Sequence, residues 1–159
     1  MSIPANESTT ATKTYTITVS ATGLEPVTLV VTQDKKDASG AVTVVADKDF
    51  LAANKDGAID DVISYTNSTE YSGSVTELRV YKGKTLTVTA ADGHVMKSIK
   101  MTCTADGTTK YGPGCWGAGA PGGYTFEGKV GTWTGSATSV AFTATDNQVR
   151  IIELVVIYE

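Results

Sequence analysis

"TELRVYKGKTLTVTAADGHVMKSIKMTCT", residues 76–104, decides the fold. Short runs rich in Thr, Val and Ile alternate polar with apolar, and they break at Lys82-Gly83 and Asp92-Gly93. A period of two built from β-branched residues describes half-buried strands, and Lys-Gly and Asp-Gly pairs are turn chemistry. No segment between the two breaks is long enough for a helix of ordinary length.

The same pattern extends in both directions. Toward the N-terminus, "KTYTITVS" (13–20) puts Tyr15, Ile17 and Val19 on one face and Thr14, Thr16 and Thr18 on the other. "ATGLEP" follows with Gly23 and Pro26 as turn residues, and "VTLVVTQ" (27–33) completes a hairpin. "DKKDASG" (34–40) reads as a polar loop and "AVTVVA" (41–46) as a third strand. "DKDFLAANKDGAIDD" (47–61) breaks the pattern and is the one place where a helical turn or two fits. Toward the C-terminus come "VISY", "YTFEGKV", "TSVAFTAT" and "VRIIELVVIYE", with turn signals at Asp106-Gly107, Gly131-Thr132 and Asp146-Asn147. In the final run, Ile151, Glu153, Val155 and Ile157 are expected on one face and Ile152, Leu154, Val156 and Tyr158 on the other. A strand apolar on nearly both faces is expected to be central.

About ten short strands spaced by such turns predict an all-β chain, a β-sandwich of jelly-roll or immunoglobulin-like type with an N-terminal two-stranded arm. The expected organisation is an arm over 1–33, a linker and connecting strand over 34–48, and the sandwich over 49–159. Two strands cannot bury a core by themselves, so the arm must complete a neighbouring sheet or pack on another surface.

Composition narrows the function classes. The 159 residues carry a formal net charge of -4, with 13 Lys and Arg and no long basic run, so the electrostatic footprint of a nucleic-acid binder is missing. No apolar stretch approaches the length of a membrane-spanning helix. The opening "MSIPANESTTATKTY" has neither a basic n-region nor an apolar h-region, so no signal peptide is expected in this sequence.

Two segments carry a resemblance. "ESTTATKTYTITVSATGLEPVTLVVTQ" resembles the last two strands of a BACON module, with its Thr-rich strand, short Gly turn and closing Val31-Thr32-Gln33. From about Asp49 to Tyr158, "ELRVYKGKTLTVTA", "KSIKMTCT", "GTWTGSATSVAFTA" and "RIIELVVIYE" resemble a second module of secreted and lipoprotein chains of Bacteroidota. The resemblance implies a non-catalytic β-sandwich for surface display and adhesion, binding a glycan or a cell-surface polysaccharide. The alternative is a virion structural protein, a capsid decoration or head-fibre component of a phage infecting Bacteroidota: BACON modules occur in such phages, and the open edge of the incomplete module invites other subunits to the arm. The location would be extracellular or the cell surface in an exported chain, or the virion in a phage product.

Candidate chemistry concentrates in "YGPGCWGAGAPGGY" (111–124), where six glycines and two prolines surround Cys115 and Trp116. Tyr111, Trp116 and Tyr124 could present aromatic faces to a sugar ring, with Trp116 at the centre of the contact. The other reading folds Trp116 back as a lid over one end of the sandwich, because a Trp is usually well buried. Trp133 is expected to pack in the core or at a sheet edge. Cys103 and Cys115 are candidates for a disulfide; reduced thiols packed as small hydrophobes are the alternative. An EF-hand over "NKDGAIDD" is excluded, because Ala52 and Ile63 stand where its first and last ligands belong. Calcium held in another geometry by Asp47, Asp49, Asp56 and Asp60 is the candidate metal reading, against a polar loop with an Asp-Gly turn. His94, the single histidine, sits at a turn with no nucleophile motif around it, so no enzymatic activity is expected.

Overall fold

A computed structural model describes residues 13–20, 22, 23, 25–33, 41–70 and 75–159. The N-terminal tail and the polar loop at 34–40 lie outside the described residues. The chain forms two compact units, residues 1–41 and 42–159.

In the first unit, β1 (Lys13–Val19) and β2 (Val27–Gln33) pair antiparallel as a two-stranded ribbon. Gly23, in the turn between them, has φ +82°, a conformation that a side chain disfavours. The register sets Tyr15 opposite Val31, Ile17 opposite Leu29 and Val19 opposite Val27.

The second unit is all-β and sandwich-like. Its elements are β3 (Val42–Ala46), α1 (Lys48–Ala53), β4 (Gly57–Ala58), β5 (Ile63–Asn67), β6 (Leu78–Val80), β7 (Thr85–Ala90), β8 (Met96–Cys103), β9 (Tyr124–Glu127), β10 (Val130–Ala137), β11 (Ser139–Thr143) and β12 (Val149–Tyr158). The larger sheet runs β3-β12-β8-β10-β9, with β6 sharing the β3 side of β12; the smaller runs β11-β7-β5-β4. All the strand pairs are antiparallel. Strand β3, placed by sequence in the connecting segment, is an integral strand here and pairs with β12 from Val42 to Ala46.

Each sheet sends alternate side chains inward, as a pleat requires. Ile63, Tyr65, Leu86, Val88 and Phe142 from the smaller sheet meet Ile99, Met101, Trp133, Leu154 and Val156 from the larger, in one buried cluster. The helix α1 begins on Asp47, whose carboxylate accepts from the Phe50 amide at 2.9 Å, and it buries Leu51.

Two expectations are corrected. First, β12 is central, but its faces do not follow a single alternation. A register shift between Ile151 and Glu153 inserts one extra residue, so Val149 and Ile151 share the buried face with Leu154, Val156 and Tyr158. Glu153 is released to the other side, where it accepts from the Thr102 hydroxyl at 3.1 Å. Second, Gly131-Thr132 is not a turn. It lies inside β10, where a Cβ on Gly131 would fall 1.9 Å from the Tyr124 hydroxyl oxygen. Glycine is required there because a neighbouring side chain crosses the strand.

Candidate functional site

The glycine-rich segment 111–124 is compact and built into the sandwich. Pro113–Gly119 forms 3₁₀ turns, interrupted at Gly117, whose φ is +54°. Its glycines permit close approach. A Cβ on Gly119 would sit 2.2 Å from the Thr143 carbonyl oxygen, and one on Gly117 2.3 Å from an Asp146 carboxylate oxygen. Cross-links from the 145–147 turn fix the segment: the Thr145 hydroxyl donates to the Trp116 carbonyl at 2.7 Å, and the Asp146 amide donates to the Cys115 carbonyl at 3.2 Å.

This construction answers why the largest side chain sits among glycines. Trp116 is fully buried. Its indole N–H donates to Met101 Sδ at 3.2 Å on the larger sheet, and its ring lies 5.4 Å from Phe142 on the smaller. Trp116 is thus a core residue that joins the two sheets, and the reading that makes it the centre of a ligand contact is corrected. Tyr124 turns the same way: its ring packs edge-on against Phe142 at 5.7 Å, and its hydroxyl donates to the Pro113 carbonyl at 2.9 Å. Burial holds that hydroxyl well above the usual tyrosine range. Tyr111 is separate. It has φ +83°, unusual for a residue with a Cβ, and pairs with Val149 in an isolated parallel bridge. The three aromatics therefore form no common exposed platform. Trp133 is buried as expected and donates to the Gly122 carbonyl at 2.9 Å.

A charged cluster that the sequence did not announce surrounds Tyr111. The Arg150 guanidinium lies 3.7 Å from its ring centroid, and the Lys110 ammonium lies 5.1 Å from it. Arg150 stands opposite Arg79 in the β12–β6 register, a like-charge pair that Glu77 bridges. One Glu77 oxygen accepts from Arg79 Nε at 2.8 Å and from Arg150 Nη1 at 3.2 Å, and Thr76 donates to the other. Burial pushes the Glu77 carboxyl pKa up, but the hydrogen bonds from Thr76 and Arg79 and the two positive charges outweigh it, and the net value is lowered. Arg150 Nε, Gln148 Nε2 and Thr104 Oγ1 are buried here without a hydrogen-bond partner. The sequence signal was slight: one arginine in a largely apolar final strand.

The proposed calcium ligands do not converge. Asp47 caps α1, and Asp49 lies in the first turn of that helix, where its charge suits the dipole. Asp56 pairs with Lys55 at 3.7 Å. Asp60 accepts from the amides of Val62 and Ile63 and from the Tyr158 hydroxyl. No group of three or more metal-ligating side chains comes together among the described residues. This corrects the metal reading: Asp47 caps a helix, Asp56 pairs with a lysine, and Asp60 serves a turn and the Tyr158 hydroxyl.

Cys103 and Cys115 are both buried and free. Cys115 donates to the Thr109 carbonyl at 3.2 Å. Burial, with the neighbouring Cys115, pushes the Cys103 thiol up to about 12. The two therefore pack as small apolar groups rather than as a disulfide. His94 packs edge-on against Tyr158 at 5.4 Å.

One open feature of the sandwich is a shallow pocket of about 510 Å³ on edge strand β9, lined by Thr125, Phe126, Glu127, Val130 and Thr132. Among the described residues no helix is long and apolar enough to cross a membrane. No protein-family model matches the chain, and no curated protein or solved structure shows detectable similarity to it.

Proposed function

We propose that this chain is a non-catalytic β-sandwich module that works by attachment within a surface or virion assembly, with the N-terminal hairpin as the attaching element. The observation that carries this reading is the exposed apolar surface of β1–β2, where Val19, Val27, Leu29 and Val30 lie open. A two-stranded ribbon is marginal in water, and exposed apolar surface concentrated on one small element marks an interaction site. Backbone amide exchange on the assembled chain tests it. Protection across β1 and β2 is expected, and unprotected rates there would exclude the hairpin as the attaching element.

A second reading, glycan or cell-surface binding, is favoured by Phe126. This aromatic ring is 46% exposed beside Thr125, Glu127 and Thr132 at the shallow pocket. It moves the candidate contact from Trp116 to β9. A glycan screen in which Phe126→Ala loses binding supports it, and binding unaffected by that change opposes it.

A further inference from the structure

Costs that a fold ordinarily avoids collect at one place on the sandwich. The chain has two arginines, Arg79 and Arg150, and the β6–β12 register sets them directly opposite each other. Like charges so placed destabilise a sheet. Glu77 bonds to both, and Lys110 adds a further positive charge at the Tyr111 ring. The cluster therefore carries more positive than negative charge, on a chain whose formal net charge is -4. Tyr111 is the one non-glycine residue at positive φ among the described residues. Strain and broken pairing rules gathered in one place mark function rather than folding.

Unspent hydrogen-bonding capacity lies in the same place. The Thr104 amide donates to the Arg150 carbonyl at 3.0 Å, which continues the β8–β12 pairing and sets Thr104 opposite Arg150. Gln148, two residues before Arg150, falls on the same side of the sheet by alternation. On this side Arg150 Nε, Gln148 Nε2 and Thr104 Oγ1 are buried with no hydrogen-bond partner among the described residues. The two nitrogens can only donate, and the hydroxyl can donate as well. Both Glu77 oxygens are already engaged, by Thr76 and by the arginines. The chemistry that complements the cluster is an acceptor with negative charge, and a carboxylate is both.

We propose that this face binds a carboxylate carried by an acidic peptide segment of a partner protein, with Arg79 and Arg150 as the pair that receives it. The site belongs to the sandwich and is independent of the hairpin, so either reading can fail without the other. Both arginine side chains are 25% exposed, so their charge is open to the surface. The Tyr111 ring lies 3.7 Å from the Arg150 guanidinium and covers one of its faces, and the ligand displaces that ring to reach Nε. Burial of the three unpaired atoms selects the source of the carboxylate. An Asp or Glu side chain carries it on a slender stem that can enter, whereas a sugar acid carries it on a pyranose ring.

The test is proton–nitrogen NMR of the full chain, in which the two arginine Nε–H groups give separate signals. Titration with an end-blocked tetraglutamate peptide should move the Arg150 Nε–H and the Gln148 side-chain amide together to saturation. Tetraglutamine should move neither. Arg150→Gln should weaken tetraglutamate binding about 10- to 100-fold, through lost charged hydrogen bonds. Thr104→Val removes an unpaired buried hydroxyl, so it should melt no lower than the parent yet weaken binding at least about twofold. A merely structural threonine would not separate those two readouts. Lys97→Gln, at the other end of β8 beside Glu159, should change binding less than about twofold. An Arg150 Nε–H signal that stays fixed, or binding unchanged by both Arg150→Gln and Thr104→Val, overturns the proposal. Tighter binding of trigalacturonate than of tetraglutamate also overturns it, by placing a sugar acid in the site.

Discussion

Replacing Trp116 with Ala separates a core residue from a ligand contact by magnitude. The side chain is fully buried and touches both sheets through Met101 and Phe142. Truncating a buried Trp costs about 3–5 kcal/mol, from lost transfer energy and the cavity left between the sheets. The sandwich unit spans residues 42–159, that is 118 residues. At about 2.1 cal/mol/K per residue its unfolding entropy is about 0.25 kcal/mol/K, so the melting temperature should fall by about 12–20 °C. Trp116→Phe keeps a ring against Phe142 but loses the N–H donor to Met101 and some volume, and should cost about 1–2 kcal/mol. The assay is thermal unfolding followed by far-UV circular dichroism, with calorimetry as a check. An exposed contact residue would shift stability by no more than about 0.5 kcal/mol. A Trp116→Ala melting temperature within 2 °C of the parent, about that amount, would refute the core assignment.

Other expectations follow from the same geometry. Gly119→Ala forces a methyl against the Thr143 carbonyl, and should destabilise by about 1–3 kcal/mol in denaturant titration. Cys103 has its pKa raised from 9.0 to about 12 in the fold. The native state holds this proton when the unfolded state has released it. Its contribution is therefore complete below pH 9 and falls by about 1.4 kcal/mol per pH unit as pH rises through 12, which unfolding at graded alkaline pH reads. Glu77 runs the opposite way: its lowered pKa gives stability that is present above its ordinary 4.5 and lost as the pH falls through the folded value. Glu77→Ala leaves Arg79 and Arg150 facing each other across the β12–β6 pair. With those arginines a quarter exposed, the expected cost is about 2–3 kcal/mol, measured by chemical denaturation.

Much of the architecture is local and therefore legible. Period-two runs placed most of the strands, and the break in that period over 47–61 left room for the helical turn α1. What escaped the sequence is tertiary. Gly131 looked like a turn residue because the pattern cannot show that Tyr124 crosses above it. The β12 faces were misphased because a bulge leaves no signature in a run with apolar residues at nearly every position. Glycines in 111–124 suggested an irregular, ligand-facing loop. Their role is steric, letting backbone approach backbone so that Trp116 reaches the core. The Glu77–Arg150 bridge spans 73 positions of sequence, which no spacing rule anticipates.

The molecule comprises a sandwich whose conspicuous loop is internal and a hairpin that is proposed to attach it. The most direct test is the molar mass of the full chain and of a chain lacking residues 1–33, by light scattering at matched concentrations, with circular dichroism to verify folding. The account predicts a defined assembly for the full chain and a folded monomer for the shortened one. Two chains of the same association state, both folded, would contradict it.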